Sequence, residues 1–232
     1  MAAANRLACD TCPVRDRAAC AVLSEEDRGE LSRVGHHRAL RRGESLFAAD
    51  DDPAHCATLI TGALKISAFG EDGTERILSL VHPAGFIGEM FAPVGGHEVI
   101  ALTDSRLCVF SKRDYEQAIE RFPALGRALL RRSAEDLFES RALIDLMGRR
   151  SSQQKVAGML LSLARAASDS PCHPAARFDL PLTRGDMAGM LGLTIETVSR
   201  QLTSLERDGV IRRDGLRGIE LGDAARLGML AA

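Results

Sequence analysis

No apolar run in this sequence approaches the ~20 residues that a membrane-spanning helix requires, so a transmembrane role is not expected. The stretch from Met1 to Arg15 lacks the apolar core of a secretory leader, and the expected location is the cytoplasm. A strong charge of either sign is missing too. The 30 Lys+Arg and 32 Asp+Glu leave a net charge of −2 over 232 residues. Residues 151–232 carry +1 and the remainder −3. Bulk charge therefore announces no nucleic-acid partner, and any case for one must come from a local patch or a motif. No nucleophile–base pair, phosphate-binding loop or dinucleotide fingerprint is visible, so an enzyme is not expected. Internal repeats and low-complexity tracts are absent as well.

What is present is a chain with 45% hydrophobic residues, ordinary for a globular protein and long enough for two compact domains. Its six cysteines are Cys9, Cys12, Cys20, Cys56, Cys108 and Cys172. In a reducing cytoplasm, clustered cysteines point to metal ligation or redox chemistry rather than to structural disulfides. Cys9-x2-Cys12-x7-Cys20 puts three thiols on one short segment, and a Cys-x2-Cys pair lets two sulfurs face one metal site. On spacing alone, zinc and an iron–sulfur cluster both remain open. The six histidines show no ligand spacing, and the adjacent His36 and His37 read as turn or surface residues.

Residues 24–34 read as a short helix with Ser24 as its N-cap and Asp27 three positions on. From 36 to 110 short apolar runs recur at 45–48, 57–61, 63–67, 77–81, 99–102 and 107–110. Arg42-Gly43, Thr61-Gly62, Asp72-Gly73 and Gly95-Gly96 break them. Many short strands at this spacing predict a compact antiparallel roll or barrel. A helix follows over 112–121, then a long one over 124–149. On the latter, Leu130, Leu137 and Ile144 recur every seven residues, with Met147 beyond them and Ser133 and Ser140 between. That is a short pairing seam, and it predicts a homodimer. Residues 151–167 form another amphipathic helix, followed by a loop at 168–176 with Pro171 and Pro174.

The densest signal lies at 183–200. Thr183 and Asp186 form a capping pair for a short helix, Gly192 sits where the chain must turn sharply, and Thr194 caps a second helix. This is helix–turn–helix spacing. Ile195, Val198, Leu202 and Leu205 are expected on the buried side of the second helix. Glu196, Ser199 and Arg200 share the opposite face. An Arg can donate two bonds to guanine O6 and N7, and a Glu can accept from cytosine N4; the plain alternative is a surface Glu–Arg pair. Beyond them, 210–221 reads as a hairpin with an Asp214-Gly215 turn. Its Arg212, Arg213 and Arg217 either meet phosphates or stay solvated.

From about Cys9 to Leu221 the sequence resembles the CRP/FNR family of bacterial transcription regulators, most closely in Leu191-Gly192-Leu193-Thr194-Ile195-Glu196-Thr197-Val198-Ser199-Arg200. The resemblance implies an α+β architecture: a β-roll sensor, a long dimerisation helix and a winged helix–turn–helix. The expected boundaries are 1–23 for a cysteine-rich segment, 24–121 for the roll, 122–150 for the dimer helix and 151–232 for the DNA-binding domain. In the FNR group, Glu196, Ser199 and Arg200 would read a TTGAT half-site of a TTGAT-N4-ATCAA palindrome. RNA polymerase is an expected partner.

The resemblance also divides the sensor readings. Members that bind cyclic AMP follow Gly-Glu with an Arg that pairs the phosphate. Here Gly88-Glu89 is followed by Met90-Phe91-Ala92-Pro93-Val94-Gly95-Gly96-His97-Glu98, which has no Arg, so no cyclic nucleotide is expected. FNR-type members instead hold a 4Fe-4S cluster. The pattern of Cys9, Cys12 and Cys20 with Arg15 resembles one form of that ligand set, and Cys108 falls at the position of the fourth ligand. These four cysteines are the expected cofactor and metal ligands, with Cys56 and Cys172 structural. The implied activity is oxygen-responsive transcription control. Nitric oxide, a haem ligand, or a redox or zinc site are the alternatives. The FNR dimer helix carries an acidic residue that opposes pairing. Ser140 occupies that position here, beside Glu139, so the dimer is expected to persist better in air.

Overall fold

The computed structural model describes residues 8–48, 54–88, 97–149, 151–168, 170 and 172–232. The chain divides into two units, residues 1–139 and 140–232. Among the described residues no helix is long and apolar enough to cross a membrane. The segment 89–96, which carries most of the argument about cyclic nucleotides, lies outside the described residues.

In the first unit, two single turns of 3₁₀ helix at Cys9–Thr11 and Ala19–Val22 precede α1 (Glu25–Val34). Helix α1 starts where expected, because the Ser24 hydroxyl accepts from the Asp27 amide at 3.1 Å. Eight strands follow: β1 (Gly35–Leu40), β2 (Ser45–Phe47), β3 (His55–Thr61), β4 (Leu64–Phe69), β5 (Glu75–Val81), β6 (Phe86–Ile87), β7 (Glu98–Ala101) and β8 (Ser105–Ser111). They pair antiparallel in two sheets, ordered β1-β8-β3-β6 and β2-β7-β4-β5. Leu40, Leu46, Leu59, Leu64, Val99, Leu107 and Val109 from both sheets meet in one buried core, which is the β-roll expected from the sequence.

Strand β1 is not apparent in the sequence; His36 and His37, expected at the surface or in a turn, lie within this strand, with His36 exposed and His37 half-buried. They lie in register with Val109 and Cys108 of β8. Its apolar content is too low to show as a strand; six residues of pairing with β8 make it one.

Period-two alternation on β8 matters for function. Leu107 and Val109 point into the inter-sheet core, so Cys108 and Phe110 are presented to the opposite face. There a second apolar cluster collects Leu23 and Leu31 from the N-terminal region. It also holds Tyr115 of α2 (Lys112–Arg121) and Leu125 of α3 (Pro123–Gly148). Helix α2 is capped by Ser111, and α3 opens on Pro123, whose fixed φ suits a first helical turn. Helix α3 runs across the division between the units.

The second unit contains α4 (Ser152–Ala166), β9 (Arg177–Asp179), α5 (Arg184–Leu191), α6 (Ile195–Arg207), β10 (Ile211–Asp214), β11 (Gly218–Leu221) and α7 (Ala224–Ala231). Helix α4 carries a capping box made by Ser151 and Gln154. It approaches α3 closely at Gly158, where a Cβ would stand 2.5 Å from a methyl of Leu146. The sheet order β10-β11-β9 adds a third strand to the predicted hairpin. Strand β9 and helix α7 were not foreseen. The N-cap of α7, Asp223, accepts from the Arg226 amide at 2.8 Å.

Candidate functional site

Cys9, Cys12, Cys20 and Cys108 line one cavity, together with Val14, Ala18, Leu31, Phe110 and Tyr115. The three N-terminal thiols arrive there on the 3₁₀ turns and the loop between them. Val14 and Ala18, both nearly fully buried, anchor that loop against Ile60 and Ala84 of the roll. Cys108 is brought from the other side by the alternation of β8. Thr58, its register partner on β3, lines the same space. Positions nearly a hundred residues apart in sequence thus present thiols to a common volume.

All six cysteines are free. Burial is the main cause that raises the Cys9 thiol above its ordinary pKa and pushes Cys20 up to about 11. The neighbouring cysteines push in the same direction. Cys108 is raised further, again by burial first and then by Cys12, Cys9 and Cys20. The protein thus holds these groups as thiols until something with a positive centre takes their protons' place. Among the described residues, no three His, Cys, Asp or Glu side chains converge closely enough to hold a single metal ion. Cys56 is fully buried on β3 and pushed up to about 12 by burial; it does not line the cavity. Cys172 is exposed, unlike the structural residue expected.

The helix–turn–helix is built as its residues dictate. Thr183 and Asp186 cap each other's backbone at α5. Gly192 adopts φ +60°, a left-handed conformation that glycine takes without a Cβ clash, and the chain reverses there. The Thr194 hydroxyl accepts from the Thr197 amide to start α6. Val198, Leu202 and Leu205 are buried. Ile195 is not: it is 52% exposed, which corrects its assignment to the core.

Glu196 and Arg200 are exposed on the same side, with Ser199 half-buried beside them. The Glu196 carboxyl is held below its ordinary range by its own backbone amide and the Thr194 hydroxyl, and so stays ionised. Arg184 of α5, which the sequence reading missed, donates to the Ser199 hydroxyl at 3.3 Å. Its signal was its place directly after the cap Thr183, on the same side as the second helix.

On the hairpin, Arg212 is paired with Glu220 and Arg213 with Glu206. Both guanidiniums therefore have carboxylate partners that a phosphate would have to displace. On α3, the seam residues Leu130, Leu137, Ile144 and Met147 are all exposed, and Phe138, absent from the sequence reading, joins them.

A family model described as a Crp-like helix-turn-helix domain matches residues 154–230, and one described as a cyclic nucleotide-binding domain matches 37–122. The chain is similar to "Transcriptional activator protein FnrL" of Cereibacter sphaeroides, 34% identical over 222 residues covering 94% of this chain and 90% of the relative. It is also similar to "Nitrogen fixation regulation protein FixK" of Bradyrhizobium diazoefficiens, 32% identical over 230 residues covering 97% and 94%. Among solved structures, FixK2 of Bradyrhizobium japonicum matches with a TM-score of 0.77 and 27% identity, covering 86% of this chain and 98% of that one.

Proposed function

The chain belongs to the CRP/FNR family of DNA-binding transcription regulators, and on that premise we propose that it is an oxygen-responsive homodimer governed by a 4Fe-4S cluster in the cytoplasm. The observation that carries this reading is the convergence of Cys9, Cys12, Cys20 and Cys108 on one cavity. The donor set fits the group. Among the described residues no three donors converge as a single zinc ion would need, while four cysteines line one cavity, and cysteine thiolates are the ligands that would hold a 4Fe-4S cluster. The apolar lining from Val14, Leu31 and Phe110 keeps bulk water back.

Cys9, Cys12, Cys20 and Cys108 would hold the cluster, which when bound supplies iron–sulfur bonds that oxygen attacks. The chain's own residues do the rest. Ligation by Cys108 and the N-terminal cysteines would tie the segment before α1 to β8. Strand β8 runs straight into α2 through the Ser111 cap. Cys9, Cys20 and Cys108 share an apolar cluster with Tyr115 of α2 and with Leu125 and Leu129 of α3. A change in how the thiols are held therefore reaches the start of α3 through packed side chains. Leu130, Leu137, Ile144 and Met147 on α3 would pair two protomers, setting two copies of α6 one DNA turn apart on a palindrome. Glu196, Ser199 and Arg200 would read TTGAT-N4-ATCAA, Arg212 and Arg213 would meet phosphates after leaving their carboxylate partners, and RNA polymerase would be engaged from the bound dimer. The lack of an Arg in 89–98 supports a sensor that takes no cyclic nucleotide.

Anaerobic purification tests this. Brown protein with about four iron and four sulfide per chain, whose Mössbauer spectrum changes on exposure to air, is the expected result. Colourless protein carrying one zinc would overturn it.

A further inference from the structure

Arg28 lies on α1 and is only 7% exposed. Its guanidinium donates to three backbone carbonyls, those of Cys20 (3.4 Å), Ala21 (3.5 Å) and Leu23 (3.2 Å). All three are neutral, and among the described residues no carboxylate pairs with it. A buried guanidinium is always charged, and neutral acceptors leave its charge uncompensated. Arg15 makes the contrast: it lines the same cavity, but its charge is met by Glu25 at 2.7 Å. Arg28 also lines the cavity of the four thiols.

From this unpaired cation beside four thiols we infer that Arg28 is the fixed counter-charge of the cluster site. It is a positioning residue that holds the Cys20 turn by its carbonyls and sets the reduction potential of whatever the thiolates bind. The inference rests on the cluster reading proposed above. Four thiolates around an iron–sulfur core leave a net negative charge in an apolar pocket, and Arg28 is the cation placed to offset it. Nearby charge and hydrogen bonding are among the factors that set such potentials. Adding an electron increases the negative charge, so a buried positive neighbour favours the reduced state and raises the potential. It also offsets the negative charge of the liganded site, which slows the loss of iron.

The test uses the full-length wild type, Arg28→Lys and Arg28→Gln, purified without oxygen and followed in two ways: redox titration of the cluster, and the rate of iron loss to a chelator. Arg28→Gln is expected to shift the potential to more negative values and to lose iron several-fold faster than wild type. Arg28→Lys, which keeps the charge but not the fork, is expected to keep most of the wild-type potential. Circular dichroism of each apoprotein reports folding. If Arg28→Gln fails to fold, Arg28→Lys decides: a potential near wild type supports the charge role, and a loaded cluster with a large shift overturns it. If Arg28→Gln folds and holds a full cluster at the wild-type potential, the inference is wrong. A wild-type protein that acquires no iron and sulfide fails the cluster reading instead, so the two failures are distinguishable.

Discussion

Cys56 and Cys108 lie on neighbouring strands of one sheet and present their side chains to the same face, yet only Cys108 reaches the cavity. Cys56 sits in the cluster that also contains Phe110 and Tyr115. Serine replacement separates the two. Cys9→Ser, Cys12→Ser, Cys20→Ser and Cys108→Ser are each expected to abolish iron loading and anaerobic DNA binding, while Cys172→Ser keeps both. Cys56→Ser is expected to keep the cluster with a lower melting temperature, since a hydroxyl replaces a buried thiol. Full iron and sulfide in Cys108→Ser would sink the ligand assignment. A second residue-scale consequence concerns His82. Burial, and then the charge of Arg132, lower its pKa from 6.5 to about 4. Between those values the unfolded chain takes up a proton that the folded one refuses, so stability falls as pH drops from 6.5 toward 4. Denaturant unfolding at a series of pH values is expected to show this loss, and His82→Gln is expected to flatten it.

At the scale of the element, α6 has a buried stripe and a reading face, and Ile195 shows where the stripe ends. Leu202→Ala is expected to cost about 2–5 kcal/mol of stability, as for other large-to-small core changes. Ile195→Ala, at a half-exposed position, should cost about 0.5 kcal/mol. Its effect should appear in binding instead, because an exposed apolar group beside Glu196 suits contact with a thymine methyl. Replacing thymine by deoxyuridine in the operator should weaken wild type and leave Ile195→Ala indifferent. On the same helix, Arg200→Ala should relax preference at the guanine of the half-site, and Glu196→Val should do so at the same pair through its cytosine. Each good bidentate contact is worth about 1–3 kcal/mol of discrimination. Equal loss on every single-base variant would make Arg200 a phosphate anchor.

For the whole molecule, the exposed face of α3 is the feature that a lone chain leaves unexplained. Leu130 and Phe138 are each 73% exposed and Ile144 68%, on one helix. Exposed large apolar side chains of this kind mark an interaction site, and the seven-residue spacing of Leu130, Leu137 and Ile144 fits a second copy of the same helix. Leu137→Glu or Ile144→Glu would bury an unpaired charge in that seam, at a cost of several kcal/mol. Sedimentation of anaerobic protein is expected to show monomers with weak operator binding. An unchanged dimer would place the seam elsewhere.

The sequence by itself determined the parts whose physics is local. The caps at Ser24, Thr183 and Thr194, the left-handed Gly192, the seven-residue spacing on α3 and most strands of the roll follow from a few neighbouring residues. Each was legible for that reason. Strands β1, β6 and β9 were not, because their pairing partners are distant and their own patterns are short or polar. Helix α7 was missed although its cap, Asp223, was readable. Only the tertiary structure decided that Ile195 is left uncovered, that Arg212 and Arg213 are held by Glu220 and Glu206, and that Arg28 is buried against the backbone carbonyls of Cys20, Ala21 and Leu23. It also decided that Cys108 faces Cys9, Cys12 and Cys20. Spacing gave three thiols on one segment, and family resemblance suggested the fourth. Bringing Cys108 to them depends on which way β8 faces, and that direction is fixed by burying Leu107 and Val109 in a core assembled from the whole roll.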